Sequence, residues 1–195
     1  MIEISSFLTP STIKKINSWQ ESFNVKVIIT SPKKTRLGVF IPKRKGCHVI
    51  RINNNLNKYS FLITLIHEFA HAIIWQKYRN KVSPHGIEWK DQYKKMILPF
   101  LNPRFFPEDI LRLLSSHMIN PLASTVRDVE LTRALRKYDK IKHTFISDIN
   151  DGDEFFIDSG ERFVRLKKLR KNYKCQEVST GKIYRFSPLA EVKLI

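Results

Sequence analysis

The sequence predicts an α+β fold: a first domain over residues 1–145 with a small antiparallel sheet and a central helix, then a small β-rich meander over residues 146–195. Three observations carry this. Strand-like alternation gives way to helical spacing near residue 57, one helical run is apolar on more than one stripe, and short β-rich pieces return after Lys142.

Residues 11–23 place Ile13, Ile16, Trp19 and Phe23 at spacings of three and four behind Pro10, which is the pattern of an amphipathic helix. Residues 24–30 alternate through Val25, Val27 and Ile29, as a half-buried strand does. Two more strands follow at 37–41 and 48–52, separated by the turn-forming stretch 42–46. The central helix is expected over 60–78, behind Asn57 and Lys58, which can supply its cap. Its Leu62, Ile63, Leu65, Ile66, Phe69, Ala70, Ile73 and Ile74 cover too much of the circumference for a surface helix. Further helices are expected at 87–98, 107–118 and 126–140, the last behind Ser124-Thr125 with Asp128 close to a capping-box position. Strands at 154–157, 163–166, 173–178 and 183–186 then alternate with the turn formers Ser159-Gly160, Lys171-Asn172 and Thr180-Gly181.

With 195 residues and 42% hydrophobic content the chain fills a core, which excludes disorder as its global state. Its 35 Lys+Arg against 18 Asp+Glu give +17, so polyanions, nucleic acid first, are the expected partners. Residues 1–100 hold +12 of that charge and residues 101–195 only +5. Cys47 and Cys175 stand far apart with no secretory pattern ahead of them, so a reducing cytoplasm is expected. No run approaches the ~20 apolar residues that cross a bilayer, so no membrane partner is expected.

The chemistry concentrates in His67-Glu68-Phe69-Ala70-His71, an H-E-x-x-H pattern inside the most apolar helical run. A turn of 3.6 residues stacks imidazoles at i and i+4 on one face, where both can hold one ion. Glu68, next to the first, is placed to take a proton at the open side of such a site. A chance occurrence in this composition is on the order of one in a hundred, and two His with a Glu on a buried helix are costly unless something satisfies them. A catalytic zinc needs a third protein ligand. His85, in a Gly-containing turn before the next helix, is the best candidate. Helix from His71 to Asn80 carries the chain ~13 Å away, and five extended residues recover up to ~17 Å. Glu88 and Asp91 are weaker candidates, and His48, His117 and His143 lack a partner at ligand spacing.

The run 64–90, with H-E-x-x-H-A, then Trp75, then His85-Gly86-Ile87-Glu88-Trp89-Lys90, resembles the active-site signature of the SprT-like metalloproteases. The resemblance implies a zincin-like domain with one zinc on His67, His71 and His85, and with Glu68 as catalytic base. It further implies cleavage of proteins bound or crosslinked to DNA. Many relatives continue into a zinc ribbon built from two Cys pairs, and a single Cys175 in that region excludes one here. Tyr78, Tyr93 and His117 are candidate donors to the oxyanion, and strand 37–41 is a candidate edge for pairing with substrate.

Two basic clusters are candidate DNA contacts: Lys33, Lys34, Arg36, Lys43, Arg44 and Lys45 around strand 37–41, and Arg165, Lys167, Lys168, Arg170, Lys171 and Lys174 near the C-terminus. Phe163, Tyr173 and Tyr184 stand close enough to the second for stacking on bases. The acidic run Asp148, Asp151, Asp153, Glu154, Asp158 and Glu161 precedes that cluster and could neutralise it. The alternative function is a nucleic-acid-binding protein with a structural or catalytically silent zinc.

Overall fold

The computed structural model describes residues 3–33 and 36–195, so Lys34 lies outside the described residues. It divides into two compact units, the first ending at Asp139 and the second spanning Lys140–Ile195.

In the first unit, α1 (Pro10–Ser22) leads into β1 (Val25–Thr30), β2 (Gly38–Ile41) and β3 (His48–Asn53), which form a sheet in the order β1-β3-β2. The expected antiparallel sheet is mixed instead: β2 pairs antiparallel with β3, whereas β1 runs parallel to β3 along its other side. A parallel pair needs a connection that carries the chain back to its starting end, and the stretch containing β2 supplies it. β2 is therefore an edge strand. The Leu37 carbonyl accepts from the Asn53 N–H at 2.9 Å. By the alternation of an antiparallel ladder, the N–H and C=O of Gly38 and Phe40 then turn to the free edge.

α2 (Lys58–Tyr78) begins at Asn57, whose side chain accepts from the Tyr59 and Ser60 N–H groups at 3.0 Å each and donates to the Leu135 carbonyl at 2.9 Å. One residue thus caps the helix and ties it to the end of the domain. The helix is buried nearly all round and packs on α3 (Ile87–Ile97), β2 and β3. Phe61 stacks on Phe7 at 4.2 Å and Phe69 meets Trp19 edge-on at 5.4 Å. Each such buried ring contributes about 2–3 kcal/mol.

α4 (Glu108–His117) and α5 (Val129–Arg136) complete the unit. The helix expected from residue 126 starts three residues later. Thr125–Arg127 is a single 3-10 turn, and Asp128 caps α5 by accepting from the Leu131 N–H at 3.1 Å. A side chain that satisfies a helix's own amide stops the helix behind it.

The second unit is one six-stranded sheet, β4 (Thr144–Phe145), β5 (Glu154–Phe156), β6 (Arg162–Lys168), β7 (Tyr173–Glu177), β8 (Ile183–Phe186) and β9 (Glu191–Leu194), in the order β4-β9-β5-β6-β7-β8. Sequence pattern found four of these strands. β4 is two residues long and β9 buries only Val192, so neither shows alternation. Ile146, Phe155, Phe163, Tyr173, Cys175 and Val192 form a core of this unit's own.

β2 approaches α2 so closely that a Cβ on Gly38 would lie 2.7 Å from Thr64 Cγ2 and 3.1 Å from Glu68 Cγ. Gly38→Ala is therefore expected to lower unfolding stability by about 1–3 kcal/mol, read as a fall in the urea midpoint. An unchanged midpoint would mean that the strand stands further from the helix.

Candidate metal centre

α2 presents His67 and His71 one turn apart, and the turn ahead of α3 brings His85 to them. The three Nε2 atoms converge: His67 and His71 are 3.1 Å apart, His71 and His85 3.1 Å, and His67 and His85 3.4 Å. Among the described residues this is the only His, Cys, Asp or Glu group placed to hold a metal ion. The ring of the fully buried Trp89 lies against all three, at 4.6, 5.3 and 4.7 Å between centroids. Its place four residues beyond His85 puts it on the first turn of α3, facing α2.

Burial first, and the neighbouring imidazoles second, hold the His67 pKa well below 6.5 and bring that of His71 down to about 3. Burial, with the Arg127 charge behind it, lowers His85 as well. All three are neutral at pH 7, which is the state that offers a lone pair. Three neutral imidazoles cannot satisfy one another here. Each Nε2 carries either a hydrogen or a lone pair, so among three mutually close nitrogens at least two are alike and repel. A cation accepts all three lone pairs at once. Tetrahedral zinc with bonds of ~2.0–2.1 Å requires nitrogens about 3.3–3.4 Å apart, close to the spacing found. The residues fit a zinc ion.

Glu68 is buried, and that burial raises its pKa from 4.5 to about 8, against the opposing pull of the Phe40 N–H and the Arg36 charge. A dication on the imidazoles reverses that balance and favours the carboxylate. The Phe40 amide reaches Glu68 from the free edge of β2, so strand and carboxylate are directly joined.

A cleft of about 540 Å³ opens over the imidazoles. One side is Arg36 to Phe40 with Pro42, the floor includes Thr64, His67, Glu68 and His71, and the turn after α2 contributes Arg79, Val82 and His85. Ala123, Ser124 and Thr125 form a further wall. That wall is pinned by Lys90 Nζ donating to Asn120 Oδ1 at 2.7 Å, Lys94 Nζ to the Ile119 carbonyl at 2.9 Å, and Thr132 Oγ1 to the Thr125 carbonyl at 2.9 Å.

The other sequence candidates fall outside the site. Glu88 and Asp91 line neither the imidazole cluster nor the cleft. His48 accepts from the Lys43 N–H at 3.0 Å, His117 pairs with Asp128 at 2.8 Å, and His143 pairs with Glu191 at 3.1 Å. None of the candidate oxyanion donors lines the cleft: Tyr93 and His117 are buried behind it, and Tyr78 is not among its residues. Reasoning from sequence missed Gly38, the wall 123–125 and Arg127. Only Gly38 left a trace, as a glycine at the start of a β-run.

Of the first basic cluster, Arg36 reaches the cleft, while Lys33, Lys43, Arg44 and Lys45 are exposed around the β2–β3 hairpin. In the second, Arg165 serves its own unit, binding Asp151 at 2.8 Å and the Ile146 carbonyl at 3.0 Å and lying over the Tyr173 ring. Lys167, Lys168, Arg170 and Lys171 are exposed. Lys167, Lys174 and Arg185 stand directly opposite one another across β6, β7 and β8. The acidic run takes one cation of that cluster, Asp151 holding Arg165, while Glu154 holds Arg162 and Asp158 holds Lys193 outside it. Phe163 and Tyr173 are buried in the core, so of the three expected stacking rings only Tyr184 is exposed.

Residues 11–102 match the model of the SprT-like family, and the matched segment contains α1 to α3 and all three imidazoles. Comparison with curated proteins and with solved structures gives no match. No described helix is long and apolar enough to cross a membrane.

His85→Ala leaves two imidazoles at the site. Bound zinc, measured by elemental analysis after dialysis, is expected to fall from about one per chain to a small fraction of that. Retention of zinc would remove His85 from the centre.

Proposed function

We propose, on the match of residues 11–102 to the SprT-like family, that the chain is a zinc-dependent metalloendopeptidase acting on proteins bound or crosslinked to DNA. The observation that carries the reading is the convergence of three neutral imidazoles beside a buried carboxylate, at the floor of an open cleft. A zinc ion held by His67, His71 and His85 supplies Lewis acidity toward water and a peptide carbonyl.

The chain's own residues do the rest. Glu68, fixed by the Phe40 N–H, takes the proton of the attacking water and returns it to the leaving amine. The edge of β2 turns the N–H and C=O of Gly38 and the C=O of Phe40 toward an extended chain, which pairs by main chain without demanding a sequence, while the Phe40 N–H stays on Glu68. Trp89 fills the space behind the imidazoles and holds their rings in place.

For the DNA partner the support is charge and its placement. The second unit presents Lys167, Lys174 and Arg185 as a cross-strand row while its acids are engaged elsewhere, and the β2–β3 hairpin presents Lys43, Arg44 and Lys45. Such surfaces bind phosphate backbones without reading sequence. A protease of low sequence demand is then directed by where it is held.

Glu68→Gln tests the enzyme reading. Cleavage of a DNA-bound protein is expected to fall at least about a hundredfold, with zinc content and DNA binding retained. Equal behaviour of wild type and variant would leave a nucleic-acid-binding protein with a silent metal. For the partner, DNA affinity is expected to fall steeply with salt, and reversing Lys167, Lys174 and Arg185 together is expected to lower the slope of log K against log salt by about 2–3. An unchanged slope would remove that row from the DNA surface.

A further inference from the structure

The ionisable groups around the cleft are almost entirely of one sign. Apart from the imidazoles, its lining contains Arg36, Arg79 and a single acid, Glu68, which is buried at the floor. Arg127 stands two residues beyond the wall residue Thr125, outside the lining itself, and acts on His85 through space. All three arginines are exposed, and none forms an ion pair among the described residues. Of the acids nearest in the chain, Asp128 holds His117 and caps α5, and Glu88 does not line the cleft.

Arg79 adds a second observation. It is the C-cap of α2 at φ 53 and ψ −128, a backbone conformation that residues with a Cβ rarely adopt. Glycine is the usual residue at a left-handed helix end. An arginine is held there instead, with its guanidinium 5.7 Å from the centroid of Trp75, another residue of the cleft. Strain of this kind persists where the surrounding structure imposes it, and it clusters at functional sites.

We propose that this cleft selects acidic peptide segments, with Arg36, Arg79 and Arg127 as its specificity-determining residues. The inference rests on the metallopeptidase reading and names the substrate class within it. An extended peptide along β2 projects side chains alternately to its two sides. Carboxylates on residues flanking the scissile bond then meet the guanidiniums of Arg36 and Arg79 in the lining and that of Arg127 beside the wall 123–125. Concave walls focus the field of these charges, so acidic peptides are concentrated at the cleft and basic ones repelled. The free β2 edge favours a peptide over nucleic acid as the occupant, because main-chain groups pair with main-chain groups.

The test uses the full-length Glu68→Gln protein loaded with zinc and three fluorescent peptides of equal length, flanked by Glu, Gln or Lys around a neutral centre. Anisotropy is expected to show the Glu-flanked peptide binding about tenfold tighter than the Gln-flanked one at low salt, with the Lys-flanked peptide weakest and the differences shrinking at high salt. Arg127→Glu and Arg36→Glu are each expected to reduce the preference. Equal binding of the three peptides, or a preference that both substitutions leave intact, would overturn the inference. So would a DNA oligonucleotide that displaces the peptide and loses that ability in Arg127→Glu, since it would assign the cleft to nucleic acid. Cleavage of the Gln-flanked peptide by the wild-type chain keeps the two readings apart. Binding preference without cleavage sinks the enzyme, and cleavage without preference sinks only the specificity.

Discussion

Three imidazole nitrogens held within hydrogen-bonding distance of one another is an arrangement that neutral side chains cannot satisfy by themselves. Water would relieve the conflict, but Trp89 and the apolar body of α2 exclude it from one side. The same exclusion drives the His67 and His71 pKa values down and keeps the lone pairs available. Much of the first unit follows from holding these rings. A helix buried nearly all round fixes two of them, a Gly-containing turn returns the third, and α3 closes the back with an aromatic wall.

The second constraint is the closeness of β2 to α2. Gly38 leaves no room for a side chain against Thr64 and Glu68, so the strand edge lies directly at the carboxylate. One contact thereby sets two properties. The Phe40 amide orients Glu68 and partly offsets the cost of burying it, while the same edge borders the cleft where an extended chain would lie. A residue with a Cβ at position 38 would push the strand edge away from Glu68.

Much of this was legible in the sequence, and the limits have physical reasons. The pairing of His67 with His71 could be read because helical periodicity is a local property: their spacing requires one face of one helix. Strand direction is not local, and nothing in the alternation of Val25, Val27 and Ile29 says that β1 pairs parallel with β3. The start of α5 was misplaced because Asp128 can serve either within a first turn or as the cap, and the tertiary bond to His117 goes with the cap. Phe163 and Tyr173 looked available for stacking because alternation marks two faces without saying which one is covered. The cleft wall at 123–125 and the charge of Arg127 arrive from about forty residues beyond His85, a distance over which sequence pattern carries no information on proximity.

Net charge is the feature that needed the structure most. A count of +17 treats every cation alike, yet Arg162 and Arg165 are held by Glu154 and Asp151 and help to fold the second unit. Lys167, Lys174 and Arg185 are different, because like charges directly opposite in neighbouring strands destabilise a sheet. Arg36 and Arg79 are different again, lining a cleft that has one buried acid, with Arg127 two residues beyond its wall. The first pair lowers the free energy of the fold. The two other sets raise it, the one by repulsion across a sheet and the other by crowding cations at a concavity, and a bound anion would relieve that repulsion. Sorting the cations by partner therefore separates charge engaged in ion pairs of the second unit from charge that has no acid beside it among the described residues.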